Sequence, residues 1–386
     1  MLLRSNDFRR RAQKRLPRFV FDYVDGGAED ERCLGRNQVA LEAITLVPRV
    51  LRDTRVVQTS TDVFGKTWSL PMGIAPIGFA GLVRPQGDVL MARAAAAHGV
   101  PFVLSTASNS RLEAVREAAP HGVLWMQLYV MSDRAIAQQI LRRARAANFD
   151  ALVLTVDVPV SGMRERDARN GFKLPFRPRL STALDLISHP LWSLAAARSG
   201  APAFANLVED PDAPASPQVQ AALLARSMDR SLTWDSLAWL RRHWEGPLLV
   251  KGVLSAADAR EAVGHGVDGL IVSNHGGRQL DVAPATIAAL PRIVDAVGGR
   301  LPVFVDGGFR RGSDVAKAVA LGARGVFMGR APIWGLAAGG QAGVEDVLAL
   351  AKSEFERTLI LLGATRVADL HGGELLYGGS AGERNV

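Results

Sequence analysis

The sequence predicts a (β/α)8 TIM barrel, and three observations carry that prediction. Eight short apolar runs recur along the chain, most of them followed by a helical pattern. The runs are continuously apolar, as parallel strands covered on both faces are. Their C-terminal ends collect polar and titratable residues, which is where barrel enzymes keep their chemistry.

Taken in order, residues 1–70 precede the first run and contain VFDYVDGGAEDE, a helical lead-in that ends in a glycine pair and predicts a cap over one barrel end. The strands follow as MGIAP (72–76), FVLS (102–105), VLWMQLY (123–129), ALVLTVD (151–157), LLVKG (248–252), GLIVSN (269–274), VFVDGG (303–308) and GVFMGR (325–330). The segments AVREAAP, IAQQILRRARAA, AADAREAVGHG and GSDVAKAVALGA have the spacing of amphipathic helices between them. One connection breaks the rhythm: about 90 residues separate Asp157 from Leu248, far more than a strand-to-helix loop needs. Within it, residues 175–217 place Leu184, Ile187, Leu191, Trp192 and Leu194 near Arg177, Arg179 and Arg198. That pattern fits a segment lying on a membrane surface, and equally an active-site lid or a helix packed on the barrel.

Composition bounds the rest. A chain of 386 residues that is 48% hydrophobic and 22% charged can bury a large core. No apolar run approaches the roughly 18 residues that suggest a membrane span, and no apolar stretch of signal-peptide type follows the basic N-terminus. Cys33 is the only cysteine, which excludes an internal disulfide and a thiolate metal cluster and fits a reducing, cytoplasmic setting. The net charge of +8 comes from scattered arginines without interleaved aromatics, so nucleic acid is not the expected partner. An acidic small substrate or an anionic membrane surface accounts for it better. No HExxH, cysteine cluster or EF-hand loop points to a metal, and no GxSxG elbow points to a serine hydrolase.

The strand ends supply the candidates: Gln127, Tyr129, Thr155, Asp157, Lys251, His275 and Asp306. His275 is a candidate general base that a carboxylate such as Asp157 could orient, and Gly276 and Gly277 beside it allow close approach of a ligand. Arg278 and Arg164 are candidate carboxylate clamps, although Arg164 sits in the mixed charged run RERDAR, which also reads as a solvated loop. VDGGFRRGSD and MGRAP follow strands seven and eight, where barrels often hold phosphate, and Arg310 and Arg330 add charge there. Lys251 could stabilise negative charge on a cofactor ring, or simply reach solvent from a strand end.

The residues so read resemble the FMN-dependent L-2-hydroxy acid dehydrogenase and oxidase family over nearly the whole chain. SNHGGRQLD (273–281) is the specific signature, supported in family order by FDYVDGGAEDE, IAPIGFAGL, LSTAS, QLYV, TVDVP, LVKG, DGGFRRGSD and GR. GGAEDE, VLSTASN, RERDARNGFK, QAALLARSMD and GFRRGSD are most similar to the bacterial L-mandelate dehydrogenase branch, with flavin-type L-lactate dehydrogenases as near neighbours. The resemblance implies one domain over residues 1–386 that oxidises an L-2-hydroxy acid, first of all L-mandelate, to the 2-keto acid. It further implies electron delivery to a membrane quinone, with oxygen as the acceptor in an oxidase alternative, attachment of residues 175–217 to the inner face of the membrane, and a homotetramer. A barrel that only binds a phosphate ligand is the reading from another class, and the base beside a carboxylate clamp argues against it.

Residue by residue, the resemblance makes His275 the base, Asp157 the stabiliser of its imidazolium, and Arg164, Arg278, Tyr23 and Tyr129 the substrate contacts. Lys251 would stand by flavin N1 and the C2 carbonyl and stabilise the reduced ring. Pro76, Ile77, Gly78, Ser105, Gln127, Thr155 and Ser273 would line the isoalloxazine. Asp306, Gly308, Arg310, Gly329 and Arg330 would hold ribityl and phosphate. His275 serves a hydride route and a carbanion route equally. The chain departs from many family oxidases in carrying glycine at Gly78 instead of alanine and Ala107 where an aromatic is usual. The first implies a poor oxygen reaction and the second leaves room for a bulky substrate side chain. Ile77 replaces the more usual threonine.

Overall fold

The computed structural model describes residues 2–171, 180–200, 203–207, 228–371 and 375–377. The eight expected runs form the barrel strands β1 (Met72–Ile74), β2 (Phe102–Leu104), β3 (Leu124–Leu128), β4 (Ala151–Thr155), β5 (Leu248–Val253), β6 (Gly269–Val272), β7 (Val303–Asp306) and β8 (Gly325–Met328). Each pairs in parallel with the next and β8 returns to β1, closing the barrel. All eight are almost wholly buried, because helices cover them outside and side chains fill them inside.

Strand alternation sorts the interior into levels. At the N-terminal end Trp125, Val153, Leu249, Ile271, Phe304 and Phe327 form one buried apolar cluster. A hairpin of Thr61–Val63 and Lys66–Trp68 plugs this end, with the Trp68 ring 5.4 Å from Trp125 and 5.7 Å from Phe304. The crowding explains Gly73 in β1, where a Cβ would lie 2.9 Å from the Phe327 ring and 2.5 Å from Pro101. Two residues further along, five of the six equivalent positions are polar and buried, Gln127, Thr155, Lys251, Ser273 and Asp306, and the sixth is Gly329. The barrel is therefore apolar below and polar above.

The segment ahead of the first barrel strand reaches both ends of the barrel. The helix Arg32–Ala43 lies against the signature loop at the C-terminal mouth, and Arg18–Asp25 carries Tyr23 into that mouth, whereas the hairpin closes the opposite end. A Cβ at Gly277, whose φ is +74°, would stand 2.6 Å from the Leu34 amide, so glycine is what lets the helix dock.

Of the expected segment 175–217, residues 175–179, 201–202 and 208–217 lie outside the described residues. Of the rest, Leu180–Ser188 and Pro190–Ser199 are helices and 203–207 is non-helical. Trp192 turns inward, donating Nε1 to the Leu82 carbonyl at 2.9 Å and meeting Phe19 edge-on at 5.7 Å, so one face packs on the protein. Leu184, Ile187, Leu191 and Leu194 face out, with Leu191 86% exposed. Among the described residues no helix is long and apolar enough to cross a membrane.

Candidate active site

A cavity of about 550 Å³ opens above the polar level of the barrel. Its floor is Lys251, which is 3% exposed, donates to Ser273 Oγ at 2.8 Å and pairs with Asp306 at 3.3 Å. Burial opposes the ammonium charge, but Asp306 and Asp157 outweigh burial and hold the Lys251 pKa above the ordinary lysine value. The floor thus carries a fixed positive charge, and not a strand-end lysine reaching for solvent.

His275 stands beside it on the turn after β6, held at φ +57° by the glycines that follow and by its N–H bond to Ser273 Oγ at 3.0 Å. Its Nδ1 lies 3.0 Å from Asp157 Oδ1 at the end of β4, and its Nε2 lies 3.5 Å from the Tyr129 hydroxyl beyond β3. Burial pushes the Asp157 carboxyl up, yet the neighbouring His275 and Lys251 more than offset this and its pKa falls below the usual value. An ionised Asp157 accepts the Nδ1–H, which leaves Nε2 as the nitrogen with a free lone pair. Burial, then the Asp157 charge, raises the Tyr129 phenol, so Tyr129 stays a neutral donor.

The third group is cationic. Arg278 gives Nη1 to the carbonyls of Tyr23 and Gly26 at 2.7 and 2.8 Å and lies over the Tyr23 ring at 5.1 Å. Arg164 lies over the same ring at 5.7 Å and is tied through Nε to Asp167 at 2.8 Å. It lines the cavity with its side chain 30% exposed. The Tyr23 hydroxyl donates to the Gly78 carbonyl at 3.3 Å. Burial and the nearby Arg164 charge lower the Arg278 pKa, as happens where two cations are gathered in one buried place.

The residues present fit a flavin mononucleotide. Among the described residues, Gln127 Nε2, Thr155 Oγ1 and Asp306 Oδ1 are buried without a hydrogen-bond partner, an unusual cost unless a polar ring supplies one. The Gln127 carbonyl oxygen is used by Thr106 N and Ser105, so the amide is held with its NH2 free. Pro76, Ile77, Gly78 and Ser105 form the adjoining wall. Gly308 and Gly329 line the cavity where the helix Arg330–Gly339 begins, and among the described residues no side chain caps its amides, so a phosphate would fit there. The Arg310 guanidinium lies over the Trp334 ring at 5.2 Å, with no carboxylate paired to it among the described residues.

Arg330 lines the cavity and is also bound to backbone. Three of its five N–H groups go to the carbonyls of Asp25, Gly26 and Gly276, at 3.0, 2.7 and 2.9 Å. Burial, then Arg278, lowers its pKa to about 9. It braces the N-terminal segment against the signature loop as much as it faces an anion. Asp157 touches His275, and Ser273 accepts from Lys251 and from the His275 amide, so these two support the residues that line the cavity.

Several cavity residues escaped sequence reasoning. Asn37 and Asn274 exchange hydrogen bonds at 3.1 and 2.8 Å and fasten the cap helix to the signature loop. Gln38 donates to the Gly308 carbonyl. Phe204 and Met228, at the two ends of the long insertion's central stretch, line the cavity as well. A signal existed only for Asn274, which lies inside the signature.

Comparison with known proteins agrees with this geometry. A family model described as FMN-dependent dehydrogenase matches residues 12–376. (S)-Mandelate dehydrogenase of Pseudomonas putida is 45% identical over 369 residues, covering 96% of this chain and 92% of the relative. L-Lactate dehydrogenase of Xanthomonas campestris pv. campestris (strain B100) is 44% identical over 372 residues, covering 96% of each. The solved structure of monotopic membrane protein (S)-mandelate dehydrogenase superposes with a TM-score of 0.93 at 45% identity, over 97% of this chain and 99% of that one. A mandelate oxidase with (S)-4-hydroxymandelic acid superposes with a TM-score of 0.83 at 38% identity, over 96% and 97%. The match over residues 12–376 and the 45% and 44% identical relatives show that the chain belongs to the FMN-dependent dehydrogenase family, as an FMN-dependent 2-hydroxy acid dehydrogenase.

Proposed function

We propose that this enzyme oxidises an aryl L-2-hydroxy acid, of which L-mandelate is the type, to the 2-keto acid. The carrying observation is the side-chain end of the cavity, where Gly78 and Ala107 leave apolar space beside the acid-binding groups. Arg164 and Arg278 take the substrate carboxylate, with Tyr23 between them. Tyr129 and His275 Nε2 receive the 2-hydroxyl, and His275 accepts the proton that leaves the substrate. Asp157 steadies the imidazolium so formed, through the Nδ1 bond already in place. Lys251 holds a positive charge where negative charge collects on the cofactor side. Pro76, Ile77, Gly78, Ser105, Gln127, Thr155 and Ser273 would hold the flavin ring, and Asp306, Gly308, Arg310, Gly329 and Arg330 the ribityl phosphate. FMN, when bound, supplies the two-electron oxidation of the substrate carbon.

An anaerobic visible spectrum of the flavin-loaded protein tests the reading. Faster bleaching with (S)-mandelate than with L-lactate is expected. Preferential bleaching by L-lactate would sink the aryl assignment and favour lactate oxidation, which the 44% identity to an L-lactate dehydrogenase supports as the second reading.

For the electron acceptor we favour a membrane quinone. Gly78 in place of alanine argues against an oxygen-using oxidase, and peroxide formed in step with turnover would contradict this. The outward Leu184, Ile187, Leu191 and Leu194 support peripheral attachment to the inner face of the membrane, as does likeness to a monotopic relative. Retention of vesicle binding after Leu184, Ile187 and Leu191 are changed together to serine would refute it. A homotetramer is the assembly proposed, and light scattering checks it.

A further inference from the structure

We infer that Phe204 and Met228, delivered by the insertion after β4, form the wall that decides how large a 2-hydroxy acid side chain the site accepts. This rests on the 2-hydroxy acid reading above and adds the residues that set its selectivity.

The polar groups of the cavity are already spoken for: the guanidinium pair and Tyr23 suit the carboxylate, and His275 with Tyr129 suits the hydroxyl. A tetrahedral C2 carrying those two groups must send its side chain towards what remains. Among the remaining lining residues, Ala107, Phe204 and Met228 are apolar and belong to the loop after β2 and to the long connection after β4. Phe204 is 2% exposed.

Its position is fixed on both sides. The Ala203 carbonyl accepts from Asn109 Nδ2 at 2.8 Å, and Ala205 N donates to the Ser108 carbonyl at 3.0 Å. Asn206, fully buried, accepts from Leu112 N at 3.0 Å and donates to the Ser110 carbonyl at 3.0 Å. These bonds bind the stretch to the loop after β2, the loop that carries Ala107. The Phe204 ring meets Phe79 at 4.6 Å, and Phe79 meets Tyr23 at 5.7 Å, so an aromatic row runs from the acid-binding tyrosine to this wall. Met228 is pinned to the loop after β3, where it bridges to Met131 and Asp229 N donates to the Val130 carbonyl at 3.1 Å. The insertion therefore returns to the site twice, once beside Ala107 and once beside Tyr129.

A rigid apolar wall discriminates by contact area, and removing a few methylenes' worth changes selectivity by about 10- to 200-fold. The test compares flavin reduction by (S)-mandelate and L-lactate in the wild type, Phe204→Ala, Met228→Ala and Phe204→Leu, each with its full flavin absorbance. Alongside, the Kd of phenylacetate is measured against that of acetate, which needs no chemistry. Phe204→Ala is expected to lose about 10- to 100-fold in kcat/KM for mandelate and under about threefold for lactate. Phe204→Leu should recover most of the loss, and the phenylacetate preference should fall in parallel. Equal losses on both substrates, or no change in either ratio, would overturn the inference. If neither acid reduces the wild type but Phe204→Ala still abolishes the phenylacetate preference, the wall stands and the proposed reaction falls.

Discussion

His275 offers Nδ1 to Asp157 at 3.0 Å while Nε2 stands 3.5 Å from the Tyr129 hydroxyl, so the ring is fastened at one nitrogen and available at the other. Replacing Asp157 by Asn removes the charge that selects the tautomer and leaves the shape. Stopped-flow flavin reduction should slow by about 10²- to 10⁴-fold, with flavin content unchanged. Because Asp157 is held below the usual carboxylate range, it stays ionised in the wild type, and no loss of rate from its protonation is expected above about pH 5.

Arg278 and Arg164 are not equivalent. Arg278 spends one nitrogen on the carbonyls of Tyr23 and Gly26, so Arg278→Lys sacrifices either those bonds or the substrate carboxylate. Its KM should rise about 10- to 100-fold, the value of one or two charged hydrogen bonds. Arg164→Lys should cost less, because Arg164 is partly exposed and already tied to Asp167. A steady-state comparison of the two variants showing equal losses would contradict this ordering.

At Gly78 an added Cβ would lie 3.1 Å from the Ala107 Cβ and 3.6 Å from the Tyr23 hydroxyl. Gly78→Ala therefore narrows the same apolar end from the other side, an overpacking worth about 1–3 kcal/mol. Flavin reduction by (S)-mandelate should suffer more than reduction by L-lactate, and the ratio of the two rate constants reports it.

Arg310 has an aromatic face beneath it and, among the described residues, no carboxylate partner. Arg310→Met should weaken FMN binding by about 1.5–3 kcal/mol, the range for hydrogen bonds to a charged group. Flavin fluorescence released on dilution gives the dissociation constant directly.

Asp88 carries a stability prediction. It is 1% exposed, and among the described residues both its carboxylate oxygens lack a hydrogen bond. Burial raises its pKa to about 6, against the opposing influence of Ser108 and Asn109. A raised carboxyl favours the folded state while protonated, so this contribution is present below about pH 4 and is lost as the pH climbs towards 6. Asp88→Asn should match the wild type near pH 4 and exceed it at pH 7, by up to about 3 kcal/mol. Urea denaturation at the two pH values decides it.

The strands were legible because closure of a parallel barrel demands apolar residues on both faces, and β3 or β4 can be read from LWMQL and ALVLT alone. His275, Arg278 and Asp157 were legible because chemistry at strand ends leaves polar residues directly after such runs. Phe204 and Met228 were not, since an apolar residue far from any strand end looks the same whether it meets a substrate or a neighbouring helix. Trp192 shows the converse, for its inward turn depends on a carbonyl at Leu82 that no local pattern announces. Arg330 belongs to the same class, its partners being backbone atoms some 300 residues away.

That last arrangement sets a condition on biosynthesis. The backbone that follows Tyr23 and the signature loop are tied together by an arginine 305 residues downstream of Asp25. At about 5–20 residues per second, a ribosome needs roughly 15 to 60 s to travel from one to the other. Throughout that interval Phe19, Phe21 and Tyr23 have no finished mouth to cover, and the nascent chain must keep them from other partners. Most of the polypeptide must emerge before this brace can form, so a product truncated ahead of Arg330 lacks it.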